Sequence, residues 1–162
     1  MTGNFMDTEQ ENHNILKKLV DNEMAVAEIY RIYAQRYQKK QKFWTNLANE
    51  EIQHARLIEK LLKKKDLCIS KIEGRFTPEV FNVSFRYLEE KRKQAKEELL
   101  SFKETLSIAL DIETGLLERE FFTIFKEDSQ EFQRTLDTLE ASTQKHCNKI
   151  RKELTRKKWF FF

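Results

Sequence analysis

From about Asn14 to Leu154, apolar side chains return every three or four residues, with a break over residues 65–77 that includes Gly74, and the 162 residues hold only three glycines and one proline. That spacing lines up one face of an α-helix. Short strands joined by tight turns would need the turn-forming residues this chain lacks, so long amphipathic helices are the expected elements. Thirteen Phe, four Tyr and two Trp supply material for a core, and the length suits a single domain spanning 1–162. Thirty basic residues against 27 acidic ones give a formal net charge of +3, without the marked basic excess of a nucleic-acid binder. The two cysteines, Cys68 and Cys147, make neither a disulfide framework nor a four-thiolate metal module. No apolar run approaches the roughly 20 residues of a membrane helix, and the first residues show no basic stretch followed by an apolar one. A cytoplasmic protein with no membrane span and no nucleic-acid partner is expected.

The periodicity predicts core helices over about 14–37, 42–64, 102–127 and 130–157, with a further helix over about 78–99 in the long crossover between the second and third. The first row reads Leu16, Leu19, Glu23, Val26/Ala27, Tyr30, Ala34, Tyr37, and the second Trp44, Leu47, Glu51, His54, Ile58, Leu61. Polar Gln38–Gln41 lies between them. Thr77-Pro78 reads as a helix start, with Pro at the first helical position, and the helix it opens carries Val80, Phe81, Phe85 and Leu88. Ser101-Phe-Lys-Glu104 and Asp128-Ser-Gln-Glu131 are capping-box patterns that open the last two helices. Their rows are Leu106, Leu110, Glu113, Leu117, Phe121, Ile124 and Phe132, Leu136, Leu139, Thr143, His146, Ile150, Leu154. An antiparallel four-helix bundle with a long crossover is the economical all-α fold.

Each row contains polar residues where apolar ones belong: Glu23, Glu51 with His54, Glu113, and Thr143 with His146. Buried carboxylates must be paired, protonated or bound to metal. In an antiparallel hairpin, residues at equal height have the turn at their midpoint. Glu23 and His54 centre on about residue 38, and Glu113 and His146 on about residue 129, each beside an independent turn signal; the layer lies roughly 24 Å from either turn. Both hairpins thus place their polar groups in one layer at mid-bundle. Glu51 and His54, at i and i+3, share a helix face and can reach one ion. Oxygen and imidazole donors without thiolate favour iron or manganese, with zinc an alternative.

These stretches resemble the ferritin-like superfamily, and within it rubrerythrin-like di-iron domains, over about residues 14–155. The likeness rests on Asn22-Glu23-Met-Ala-Val-Ala-Glu-Ile-Tyr30, on Glu51-Ile-Gln-His54, on Ala109-Leu-Asp-Ile-Glu113 and on Thr143-Gln-Lys-His146. The resemblance implies Glu23, Glu51, His54, Glu113 and His146 as metal ligands, with Glu51 as a bridge. It implies two irons that react with dioxygen or hydrogen peroxide, or iron that is itself oxidised and passed on. With no rubredoxin-type module in the chain, electrons would come from a separate donor. Two positions depart from the pattern: Thr143 stands where the family has Glu, and Leu116 where rubrerythrins proper have a further carboxylate. The departure at Thr143 implies a weakened second metal position, a mononuclear site, or an external anion or hydroxide in the gap. Glu140 lies nearby on the same helix but close to a full turn along it from Thr143, and is not expected to substitute for it.

The alternative function is a non-catalytic helical scaffold with a relic site of buried Glu–His pairs, acting through protein contacts. Tyr30 is read as a core aromatic with a satisfied hydroxyl, or as a hydrogen-bonding or electron-transfer partner of the site. His13 is expected to be exposed ahead of the first helix, Cys147 to flank the site, and Cys68 to be structural. The basic runs Lys63–Lys65 and Arg156–Lys158 suit helix C-termini. The terminal Trp159-Phe160-Phe161-Phe162 is expected to dock within protein, and a homodimer is the expected assembly.

Overall fold

In the computed structural model, which describes residues 3–63, 78–118 and 130–156, the chain is helical almost throughout, and no strand occurs among those residues. Helix α1 spans Gly3–Arg36, a 3-10 turn Gln38–Lys40, α2 Gln41–Leu62, α3 Pro78–Glu97, α4 Phe102–Glu118 and α5 Gln130–Leu154. None of these helices is long and apolar enough to cross a membrane.

The turn falls on the polar Gln38–Lys40 stretch as its composition predicts, and α3 opens at Pro78. The first capping box is formed in both directions. Glu104 N–H donates to Ser101 Oγ at 3.2 Å, and Ser101 N–H donates to Glu104 Oε2 at 2.7 Å. Helix α1 corrects the expected start near residue 14: it begins at Gly3, so the exposed His13 lies within a helix rather than ahead of one. The polar stretch 4–13 has no apolar row to reveal it, yet holds no Pro or Gly to stop a helix. Helix α5 ends at Leu154, three residues before its expected limit. Gly74, Thr77, Cys68, Phe121, Ile124, Asp128, Lys64, Lys65, 157–158 and the 159–162 end lie outside the described residues, as do the side chains of Val80, Phe81, Leu116 and Leu117.

Helix α2 folds back along α1 from the turn. Helices α4 and α5 also run antiparallel: Lys40 reaches both the Phe102 ring at one end of α4 and Glu153 at the far end of α5, while Glu113 meets His146 further along. Helix α3 lies against α1 and runs parallel to it. Lys18 bonds Asn82 at 2.8 Å, Glu28 pairs with Arg92 at 2.8 Å and Lys96 at 2.7 Å, and Arg36 donates to the Glu98 carbonyl. The crossover helix thus carries the chain back along the outside of α1 before α4 begins. Phe85, expected on its apolar face, is instead 38% exposed, while Leu88 is buried.

The core is divided in two. Near the 37–40 turn, Tyr30, Tyr33, Trp44, Leu47, Phe102, Leu106 and Ile150 pack together. Trp44 is the hub, with ring centroids 5.5 Å from Tyr30, 5.0 Å from Tyr33, 4.9 Å from Phe43 and 5.9 Å from Phe102. At the other end Leu16, Leu19, Ile58, Leu61, Phe132, Leu136 and Leu139 form a second cluster. Each such side chain contributes about 1.5–3 kcal/mol on burial. That apolar gain offsets the cost of the polar layer between the two clusters.

Candidate metal centre

Glu23, Glu51, His54, Glu113, Thr143 and His146 are all buried, none more than 5% exposed. Helix periodicity explains why each points inward: all six continue the apolar rows of α1, α2, α4 and α5. The structure brings the five sequence-derived candidates together. Glu23, Glu51 and His54 form one triad and Glu51, Glu113 and His146 another, and within each triad the donor atoms lie within 4.8 Å of one another. Glu51 belongs to both triads. The two imidazole rings stack with centroids 5.5 Å apart and planes 22° apart.

The outer nitrogen of each histidine is held by a partner. His146 Nε2 lies 2.7 Å from Glu50 Oε2, and Glu50 Oε1 accepts from Lys149 Nζ at 2.7 Å. His54 Nε2 lies 2.8 Å from Ser142 Oγ. Both rings therefore turn Nδ1 inward, towards the carboxylates. His54 Nδ1 is 2.9 Å from Glu51 Oε2 and 3.6 Å from Glu23 Oε2. His146 Nδ1 faces Glu51 Oε1 at 2.8 Å and Glu113 Oε1 at 3.3 Å, but at angles that make no hydrogen bond. The Tyr30 hydroxyl donates to Glu113 Oε1 at 2.7 Å, so Tyr30 is both a core aromatic and a partner of the cluster.

Glu23 Oε2, Glu51 Oε1, Glu113 Oε2 and His146 Nδ1 are buried without a hydrogen-bond partner. Orphaned buried polar atoms are costly, and four of them converging in one layer fit a cation. The donor set is oxygen and nitrogen; the Cys147 thiol is buried beside His146 but turns to Thr114 Oγ1 at 4.0 Å.

Burial favours the neutral form of each group, and the neighbouring charges decide the outcome. For Glu23, burial dominates and pushes the carboxyl up to about 7. Burial would lower His54, but Glu23 and Glu51 outweigh it and raise the imidazole to about 10. His146 is raised to about 11 against the same opposition, by Glu113 and Glu51. Burial also opposes ionisation of Glu50, yet Lys149 and His146 hold it below the usual carboxylate range. Burial and the Glu113 charge push the Tyr30 hydroxyl well up. Without metal, the layer is a nest of imidazolium–carboxylate contacts.

Glu50 and Ser142 are the site residues that sequence periodicity passes over, because they sit beside the buried rows rather than in them. The rule that could have found them is chemical: a metal-binding imidazole needs a partner for its other nitrogen. Thr143 offers no charge, its hydroxyl donating to the Leu139 carbonyl at 3.0 Å in its own helix. Glu140 is exposed. Comparison of the chain with protein-family models, curated proteins and solved structures finds no match.

Proposed function

We propose that the buried layer is a metal centre and that the chain is a rubrerythrin-like non-haem iron protein built on a ferritin-like four-helix bundle. Glu23, Glu51 and His54 would hold one divalent ion, and Glu51, Glu113 and His146 a second, with Glu51 shared. The observation that carries this reading is the pair of overlapping buried triads, with four donor atoms among them that make no hydrogen bond. Iron at such a centre supplies electrons to dioxygen or hydrogen peroxide, or is itself the substrate that is oxidised and passed on.

The chain's own residues prepare that chemistry. Glu50 and Ser142 fix the ring orientations, so that Nδ1 of each histidine faces the carboxylates. Tyr30 holds one oxygen of Glu113 and leaves the other free. The apolar clusters on either side exclude water, which strengthens every electrostatic contact within the layer. Electrons for repeated turnover come from a separate donor.

A specific contact favours the second reading, a scaffold with a relic site: His54 Nδ1 and Glu51 Oε2 already satisfy one another at 2.9 Å. Metal analysis after anaerobic reconstitution with ferrous iron separates the two. Two irons per chain, or one, with loss in Glu51→Ala, supports the metal centre. Iron well below one per chain and indifferent to Glu51→Ala refutes it. Oxidation of bound iron by hydrogen peroxide, followed in the visible spectrum, then tests the redox role.

A further inference from the structure

The two halves of the site repeat one another, with a single exception. Helices α1 and α2 contribute Glu23 and then Glu51-x-x-His54; α4 and α5 contribute Glu113 and then Thr143-x-x-His146. The stacked imidazoles show that the repetition is spatial as well as sequential. Thr143 therefore stands in the second half where Glu51 stands in the first, and it is only 3% exposed.

Resting on the metal reading above, we infer that the two-metal form of this centre takes up one small monocarboxylate beside Thr143, formate being the smallest of the class. The argument is one of charge and volume. Two divalent ions bring four positive charges, and the ligand carboxylates Glu23, Glu51 and Glu113 bring three negative ones. Among the described residues, no nearby side chain supplies the fourth. Glu50 is committed to Lys149 and the outer face of His146, Glu140 is exposed, and the Thr143 hydroxyl is spent on the Leu139 carbonyl. A net positive charge on side chains no more than 5% exposed, between two apolar clusters, is costly to leave unbalanced, so a monoanion entering with the metal is favoured. The threonine side chain has fewer heavy atoms than glutamate and lacks its carboxylate, so the guest that replaces that group must be of the smallest kind. Hard oxygen donors match the rest of the set.

The test uses the whole protein reconstituted anaerobically with Co2+. Metal per chain is measured first, and sodium formate is then titrated while the visible cobalt spectrum is followed. The expected result is two cobalt ions per chain and a saturable spectral change at one formate per pair. In Thr143→Glu, which supplies the missing carboxylate from the chain, two cobalt ions bind and the formate response is lost. In Thr143→Val, which keeps the small volume, the response persists. Two cobalt ions with no saturable formate response would overturn the inference, leaving hydroxide as the balancing charge and the metal reading intact. An undiminished response in folded Thr143→Glu would overturn it too, as would a single cobalt ion per chain. No cobalt binding at all, seen before formate is added, would refute the metal reading itself. Should Thr143→Glu not fold, the stoichiometry of the unaltered protein decides by itself.

Discussion

Loading the cluster with metal should expel protons, and the number follows from the groups that face one another. In the metal-free protein His54 and His146 are raised to about 10 and about 11 by the carboxylates around them, and Glu23 is raised to about 7 by burial. At pH 7 both imidazoles carry their extra proton, and Glu23 is about half protonated. Metal held at Nδ1 and at the carboxylate oxygens replaces all of these, so binding of two ions releases about two and a half protons per chain. At pH 8.5 Glu23 is already ionised, and the release falls to about two. The same number is the slope of the logarithm of overall affinity against pH, so binding strengthens by about 2.5 decades per pH unit near neutrality. Calorimetric titration with Zn2+ or Co2+, in buffers of different ionisation enthalpy, reads the proton count directly. Release of less than about one proton per chain with two ions bound would refute the imidazolium–carboxylate account, as would a count that rises between pH 7 and 8.5.

Glu50→Gln removes the charge behind His146 and should weaken metal binding by about 10- to 100-fold while leaving the helical circular dichroism unchanged; equal affinity in competition with a chelator would contradict the positioning role. The metal-free protein should lose stability as pH rises. The raised His54 and His146 contribute stability that is complete below about 6.5 and fades as pH climbs through about 10 and 11, and the raised Glu23 carboxyl adds a penalty between 4.5 and about 7. A thermal midpoint that climbs from pH 5 to pH 10 would show the sign to be wrong. Trp44→Ala empties the hub of the aromatic cluster and should cost about 3–5 kcal/mol in urea unfolding; a loss under about 1 kcal/mol would mean that the cluster repacks.

Much of the helical framework is legible in the sequence, because burial writes a period of three to four residues into any helix that packs. The rows of α2 and α5 are buried as read from Trp44 to Leu61 and from Phe132 to Ile150, the turn falls at Gln38–Lys40, and the Ser101–Glu104 box closes as its spacing requires. The same logic explains the failures. Residues 4–13 are helical without an apolar face, so periodicity is silent about them, and Phe85 keeps the period but lies exposed on the outer crossover helix.

The depth of the polar layer belongs to the sequence alone. A rise of about 1.5 Å per residue is the same in every α-helix, so distance from a turn can be counted residue by residue. Which atoms meet within that layer is a tertiary matter, since it depends on how far each helix is rotated about its axis and which neighbour it packs against. Only the packed structure makes Glu51 the shared carboxylate, turns both Nδ1 atoms inward, and recruits Glu50 and Ser142 from positions about 100° around the helix from the buried rows.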